Sequence, residues 1–178
     1  AEFTWGLLLS LIRNIPKSSS DVNNSNWNRE KFKGFQLKNK KIGIIGLGRV
    51  GSMVANFAMA FKMEVYYYDI NVNENKYTKI KSIKSLFNLC DIITVHVPLN
   101  DNTINLISKS EFNNINEKGL FIINTSRGKI IDEYELLNAM RNKKINGLAV
   151  DVLDGELDDL EKNILWKNRD KYNILITP

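Results

Sequence analysis

The chain has 178 residues, 43% of them hydrophobic, and a formal net charge of +5. That length and apolar content suit one substantial core, and the modest charge, on lysines scattered among asparagines, argues against a nucleic-acid surface. A single cysteine, Cys90, excludes an internal disulfide and fits a reducing, cytoplasmic setting. In chain order, residues 1–15 read as a helix with Phe3, Leu7, Leu8, Leu11 and Ile12 on one face and Pro16 just beyond. The run is too short to span a bilayer and lacks a basic leader, so neither a membrane span nor a signal peptide is expected. Nearly all apolar, this helix needs cover, either from its own domain or from another subunit. Residues 17–33 are rich in Ser and Asn and read as an extended arm, on which Trp27 either anchors the arm to its own domain or serves as an interface anchor.

The next stretch organises the rest. Ile42, Gly43, Ile44 and Ile45 read as a strand buried on both faces. Gly46, Gly48 and Gly51 then fall in the G-x-G-x-x-G spacing, which serves a sharp turn, close approach of a pyrophosphate and close packing of a helix on the strand. A helix follows, with Val50, Met53, Val54, Phe57, Ala58 and Phe61 expected on its buried face. Its amino end points unpaired N–H groups at whatever the turn holds. Residues 64–68 form a second strand ending in Asp69, about 20 residues past the glycines, where a carboxylate accepts hydrogen bonds from an adenosine ribose. An acid there repels a 2′-phosphate, so NAD is favoured over NADP. A glycine pattern alone also serves plain strand-to-helix connections; strand, glycines, helix, strand and acid in register favour dinucleotide binding over a purely structural unit.

Residues 71–79 read as a polar loop, with Ile80 marking a short strand. Ile83, Leu86, Phe87 and Cys90 give a short helix in which Cys90 fills the core. A strand from 91 to 97 ends at Pro98, and residues 100–103 form a polar loop. Ser108 and Glu111 form a capping box, residues 120–124 a buried strand, and Thr125, Ser126, Arg127 and Gly128 its terminal loop. Asp132 and Glu135 open a helix carrying Tyr134, Leu137 and Met140. A strand at 147–151, an acidic loop at 154–162 leading to Trp166, and a strand at 174–177 complete the chain. Strands alternating with helices call for an α/β fold, a Rossmann-type doubly wound parallel sheet. In such sheets ligands sit beyond the carboxyl ends of the strands, which gathers the glycine turn, Asp69, residues 96–103, residues 125–127 and residues 151–156 on one rim.

Together the strings GIIGLGRVG with its later Tyr68 and Asp69, HVPLNDNT, INTSRGKIIDE, GLAVDVLDGE and ITP resemble the NAD-binding domain of the D-isomer-specific 2-hydroxyacid dehydrogenases. Trp27 and the Gly34, Phe35, Gln36, Leu37 run lean toward the phosphoglycerate dehydrogenase branch. The resemblance implies residues 1–33 as an interdomain helix and arm, residues 34–178 as the Rossmann NAD-binding domain, and a substrate domain that is absent from this chain. It implies hydride exchange between NAD(H) and the hydroxyl-bearing carbon of a D-2-hydroxy acid, with no metal. Arg127 would bind the substrate carboxylate and carbonyl oxygen, since a guanidinium offers a fixed fork of donors. Glu156 would pair with the catalytic histidine and hold it protonated when needed. Arg49 and Val50 would offer backbone to the pyrophosphate, beside Gly46, Gly48 and Gly51, with Asp69 on the ribose. Val97, Pro98 and Thr103 would lie beside the cofactor; Thr125, Ser126 and Arg127 would line the nicotinamide end, and Asp151 would face its carboxamide.

Two positions depart from the family pattern. The family's acid/base histidine follows the Thr-Pro corresponding to Thr177 and Pro178, so the chain reads as a piece of a longer protein with little turnover by itself; His96 is structural rather than a substitute. Leu157 stands where the family usually has proline. Other readings of the same scaffold are a non-enzymatic NAD-sensing module like the family's corepressor relatives, and a structural dimerisation domain. The apolar helix and the Trp27 arm suggest a homodimer.

Overall fold

In the computed structural model, which describes residues 1–156 and 159–178, the strands are β1 (Lys41–Ile45), β2 (Glu64–Tyr68), β3 (Thr78–Lys79), β4 (Ile92–Val95), β5 (Leu120–Asn124), β6 (Ile145–Val150) and β7 (Ile174–Ile176). They pair in parallel throughout, in the order β3-β2-β1-β4-β5-β6-β7. The order reverses between β1 and β4, which makes that boundary the switch point where a crevice opens. Central strands are buried on both faces: all four residues of β4 are, as are Ile42, Gly43, Ile44 and Ile45. Their β-branched side chains fit a pleated surface covered by helices on each side. Leu157 lies outside the described residues.

One face of the sheet carries α4 (Ile83–Leu89), α5 (Lys109–Phe112), α6 (Glu133–Arg141) and α7 (Ile164–Asn168), whose apolar residues join Ile45, Ile93, Ile122 and Leu148 in one core. Cys90 belongs to it; burial and the neighbouring Asp91 push its thiol up to about 12, so it fills space rather than reacts. The opposite face is covered by α1 (Glu2–Ile12) and α3 (Arg49–Ala60).

The helix α1 finds its cover within its own domain. Trp5, Leu7, Leu8, Leu11 and Ile12 are buried with Ile44, Ile123 and Ala149 of the sheet. Trp5 stacks on Phe61 at 4.8 Å and donates its indole N–H to the Val54 carbonyl at 3.3 Å. Each fully buried leucine contributes about 2 kcal/mol, so the helix is part of the domain and not a free arm. Phe3, expected on the buried face, is 50% exposed, and Trp5 takes its place.

Residues 17–33 are not an extended arm. Asn14, at φ 54°, ends the first helix in a left-handed turn, and Pro16 then stands in the first turn of a second helix, α2 (Ile15–Asn23). Proline is suited to that position because the N–H it lacks has no partner there, so Pro16 starts a helix instead of merely following one. A single 3-10 turn, Glu30–Phe32, comes after it. Trp27 is 73% exposed, which rules out its anchoring the arm to this domain. The short edge strand is Thr78–Lys79, just ahead of Ile80.

Helix α3 buries Gly51, Val54, Ala55 and Ala58, while Val50, Met53 and, just past its end, Phe61 are about half exposed. The buried stripe is rotated from the one expected because small residues let α3 approach β1 closely, and the larger side chains flank that contact. Among the described residues no helix is long and apolar enough to cross a membrane.

Candidate functional site

Strand register builds the rim. Ile45 stands beside Tyr68 and Val95, and the row continues through Asn124, Val150 and Ile176. The residues that follow them in the chain, Gly46, Asp69, His96, Thr125, Asp151 and Thr177, are therefore lined up along one edge.

At the β1 end, Gly46 has φ +89°, a left-handed conformation that only glycine adopts without strain. A Cβ there would also meet the His96 carbonyl oxygen at 2.7 Å. Gly51 faces the Gly46 carbonyl so closely that no side chain fits, so α3 begins in contact with the turn it follows. Around Gly48, by contrast, no atom of the described residues lies within 4 Å of where a Cβ would stand. No side chain caps α3, which leaves its first-turn N–H groups directed into that open space. The Asp69 carboxylate reaches across from β2: Oδ2 accepts the Leu47 N–H at 2.8 Å, inside the glycine turn, and Oδ1 accepts the N–H groups of Asn71 and Val72, each at 2.8 Å. Burial raises its pKa, but the three N–H donors and the Lys79 charge outweigh that and hold the carboxyl below its usual value. A fixed anion beside a concave set of amides, with room between them, fits the adenosine ribose and pyrophosphate of a dinucleotide.

From β4, Val97 packs against the turn, as its Cγ1 lies 2.8 Å from where a Gly46 Cβ would stand. The Thr103 hydroxyl donates to the Pro98 carbonyl at 2.6 Å and accepts the Asn100 N–H at 2.8 Å, so it folds the 98–103 loop beside the crevice and spends its polar group there. His96 is largely buried, and its Nε2 has no partner among the described residues. Burial pushes its pKa down to about 4, so the ring is neutral at pH 7. An unfolded chain protonates this histidine near 6.5, whereas the folded one does not until about 4. Stability is therefore full above about pH 6.5 and falls as pH drops toward 4, by up to ~3 kcal/mol. His96→Gln is expected to flatten urea-derived stability across that window; an unchanged slope would contradict a neutral buried ring.

The opposite end of the rim collects the remaining candidates. Asn124, buried at the end of β5, shapes the loop after it. Its Oδ1 accepts the N–H and hydroxyl of Ser126 at 3.0 and 2.7 Å, and its Nδ2 donates to the Arg127 carbonyl at 2.9 Å. The Thr125 hydroxyl pairs with that of Thr4 on α1 at 2.9 Å. The Arg127 side chain is exposed, with Nη1 donating to the Ser126 carbonyl at 2.6 Å. Gly128 presses on the Leu153–Asp154 backbone, which locks this loop to the segment after β6. Glu156, three residues beyond, accepts the Leu153 N–H. Asp151 has a buried Oδ1 without a partner among the described residues; burial raises its pKa, its own N–H lowers it, and the charges of Glu156 and Arg127 act on it in opposite directions. Arg127, Asp151 and Glu156 thus share one electrostatic neighbourhood. A cavity of about 510 Å³ opens there, lined by Asp151, Glu156, Arg169 and Thr177 among others. Asn124 escaped the sequence reading; its only signal was an amide closing an otherwise apolar strand.

A parallel sheet with a reversed order, a glycine turn against a helix start and an acid on the second strand define a Rossmann-type dinucleotide-binding domain. The chain belongs to the family described as D-isomer specific 2-hydroxyacid dehydrogenase, NAD binding domain, whose profile matches residues 5–178. It is similar to D-3-phosphoglycerate dehydrogenase of Haemophilus influenzae, 32% identical over all of this chain and 44% of that protein. The Bacillus subtilis D-3-phosphoglycerate dehydrogenase is 39% identical over 88% of this chain and 30% of that protein. The chain therefore spans less than half the length of either relative. Among solved structures, D-lactate dehydrogenase with NAD+ from Lactobacillus jensenii superposes with a TM-score of 0.83 at 26% identity, covering 99% of this chain and 57% of that one. NAD is the cofactor of this family, and the open cradle at Gly48, the Asp69 anion and the orphaned Asp151 oxygen fit it.

Proposed function

We propose that this domain serves a larger oxidoreductase exchanging hydride between NAD(H) and a D-2-hydroxy acid, in the manner of a 3-phosphoglycerate dehydrogenase. The observation that carries the reading is the Asp69 carboxylate bonded into the glycine turn, at one end of a rim whose other end gathers Arg127, Asp151 and Glu156. When bound, NAD supplies the hydride acceptor or, reduced, the donor. The backbone of Gly46, Gly48, Arg49, Val50 and Gly51 holds the pyrophosphate and Asp69 the ribose. Val97, Pro98 and Thr103 flank the cofactor. Thr125 and Ser126 line the nicotinamide end, and Asp151 accepts from the carboxamide. Arg127 holds the carboxylate and carbonyl oxygen of the substrate, steadying negative charge on that oxygen. Glu156 orients an acid/base histidine supplied by the rest of the protein, together with the second domain that completes the substrate site.

The same reading covers setting and assembly. The one cysteine, buried and free, suits a cytoplasmic compartment. Exposed Trp27, Val22, Val50 and Met53 support self-association through α2 with the Trp27 segment and the outer side of α3, rather than through α1.

Calorimetric titration of the chain with NAD and NADP tests the cofactor assignment, with NADP expected to bind at least about tenfold more weakly because its 2′-phosphate meets Asp69. The whole protein is expected to reduce hydroxypyruvate with NADH, and this chain alone to turn over little or none; sedimentation of the same samples reads the mass. No heat of NAD binding, or turnover by the chain alone, would overturn the reading.

A further inference from the structure

Glu133, the first residue of α6, is 9% exposed and uses both carboxylate oxygens. Oε1 accepts the Asp154 N–H at 2.9 Å and Oε2 accepts the Asn163 side-chain amide at 2.6 Å. Asn163 also donates to the Asp154 carbonyl at 3.1 Å, and its Oδ1 accepts the Leu165 and Trp166 N–H groups at 2.9 and 3.0 Å, which caps α7. One carboxylate therefore ties together the two feet of the segment from 154 to 163, the segment that carries Glu156. At the upstream foot, two successive amides are taken by two acids: Leu153 donates to Glu156 and Asp154 to Glu133. Glu156 is therefore held by the peptide next to the one that Glu133 fixes.

The chemistry of the contact requires a carboxylate. Both of its partners are donors, and among uncharged side chains of this length an amide would turn its own NH2 against one of them. Keeping an acid in so buried a place is unfavourable unless donors meet it, and charge-assisted bonds are about twice as strong as neutral ones. Burial raises the Glu133 pKa, the two hydrogen bonds lower it, and Asp154 and Glu156 push it up again. Of the charges facing it, Asp154 is itself paired with Lys129 at 3.9 Å.

We propose that Glu133 is a positioning residue for Glu156, holding the loop so that the Glu156 carboxylate is presented to the acid/base group. This rests on the role given to Glu156 above. In the chain itself, E133Q is expected to speed hydrogen exchange of the Leu153 and Asp154 amides by about tenfold or more. In the whole protein it is expected to lower kcat by about 10- to 100-fold, with KM for NADH unchanged, and to shift the pH–rate profile in the direction that E156Q does. The double variant E133Q/N163D restores a donor and an acceptor between residues 133 and 163 and keeps the α7 cap, but gives up the Asn163 bond to the Asp154 carbonyl, so it should exceed N163D alone in protection and rate. N163D alone sets two acids face to face and should release the loop as E133Q does, which covers the case in which E133Q fails to fold. An unaltered rate and pH profile in E133Q or in N163D, or a double variant no better than N163D alone, would overturn the proposal. If E156Q is impaired and E133Q is not, only the positioning role falls; if E156Q is fully active, the reading of Glu156 falls with it.

Discussion

Arg127→Ala in the whole protein is expected to lower kcat/KM for a 2-keto acid by about a thousandfold, and Arg127→Lys by about a hundredfold, with NADH affinity within about twofold in both. A planar guanidinium can give two charge-assisted hydrogen bonds to a carboxylate and carbonyl oxygen, worth about 1.5–3 kcal/mol each, and lysine replaces at most one of them in the right geometry. At about 1.4 kcal/mol per factor of ten, those losses give the stated ratios. Misfolding would not explain such losses. The side chain is exposed, and the loop that presents it is shaped by Asn124 and by the contact of Gly128 with the Leu153–Asp154 backbone, none of which uses the guanidinium. Steady-state kinetics with a fluorescence titration of NADH checks the split; a loss confined to KM for NADH would move Arg127 from the substrate to the cofactor.

The glycine turn gives the second large effect, and two of its members should behave in opposite ways. Gly51→Ala drives a methyl group into the Gly46 carbonyl, with the Ile44 Cγ2 also close at 3.3 Å. The obstacle is backbone in a fully packed region, so α3 must move off the strand. A loss of about 2–3 kcal/mol in urea unfolding is expected, with NAD binding abolished because the helix start no longer faces the turn. Gly48→Ala places its methyl in open space, on a backbone at φ −72° that alanine adopts freely. Stability should hold within about 0.5 kcal/mol while NAD affinity falls by tenfold or more, since the methyl occupies the volume the pyrophosphate needs. Equal effects of the two substitutions on folding would mean that the cradle is not open.

The parts of this molecule that could be read from the sequence are those set by local chemistry. Alternating apolar strands and amphipathic helices gave the parallel sheet, and the spacing of Gly46, Gly48 and Gly51 with Asp69 gave the glycine turn and the carboxylate that bonds into it, because those glycines answer needs of their own backbone. What escaped reading depended on distant partners. Pro16 looked like a stop because nothing nearby shows that Asn14 turns the chain and lets a second helix begin. The buried stripe of α3 was misjudged because hydrophobicity ranks Met53 and Phe61 above Gly51 and Ala55, whereas closeness to β1 favours the smaller side chains. Asn124, Glu133 and Asn163 do their work through hydrogen bonds to loops, and an isolated polar residue announces no partner.

The placement of α1 has a consequence for how the chain is made. Its Trp and Leu side chains are made well before the strands they cover: the Thr4 and Thr125 hydroxyls that meet at the rim are 121 residues apart in sequence. At roughly 5–20 residues per second, synthesis of that interval lasts about 6–24 s, during which an oily segment waits without its groove. Chaperone demand in the cell should thus be concentrated on α1, even though the finished fold buries Trp5, Leu7, Leu8, Leu11 and Ile12 against its own sheet.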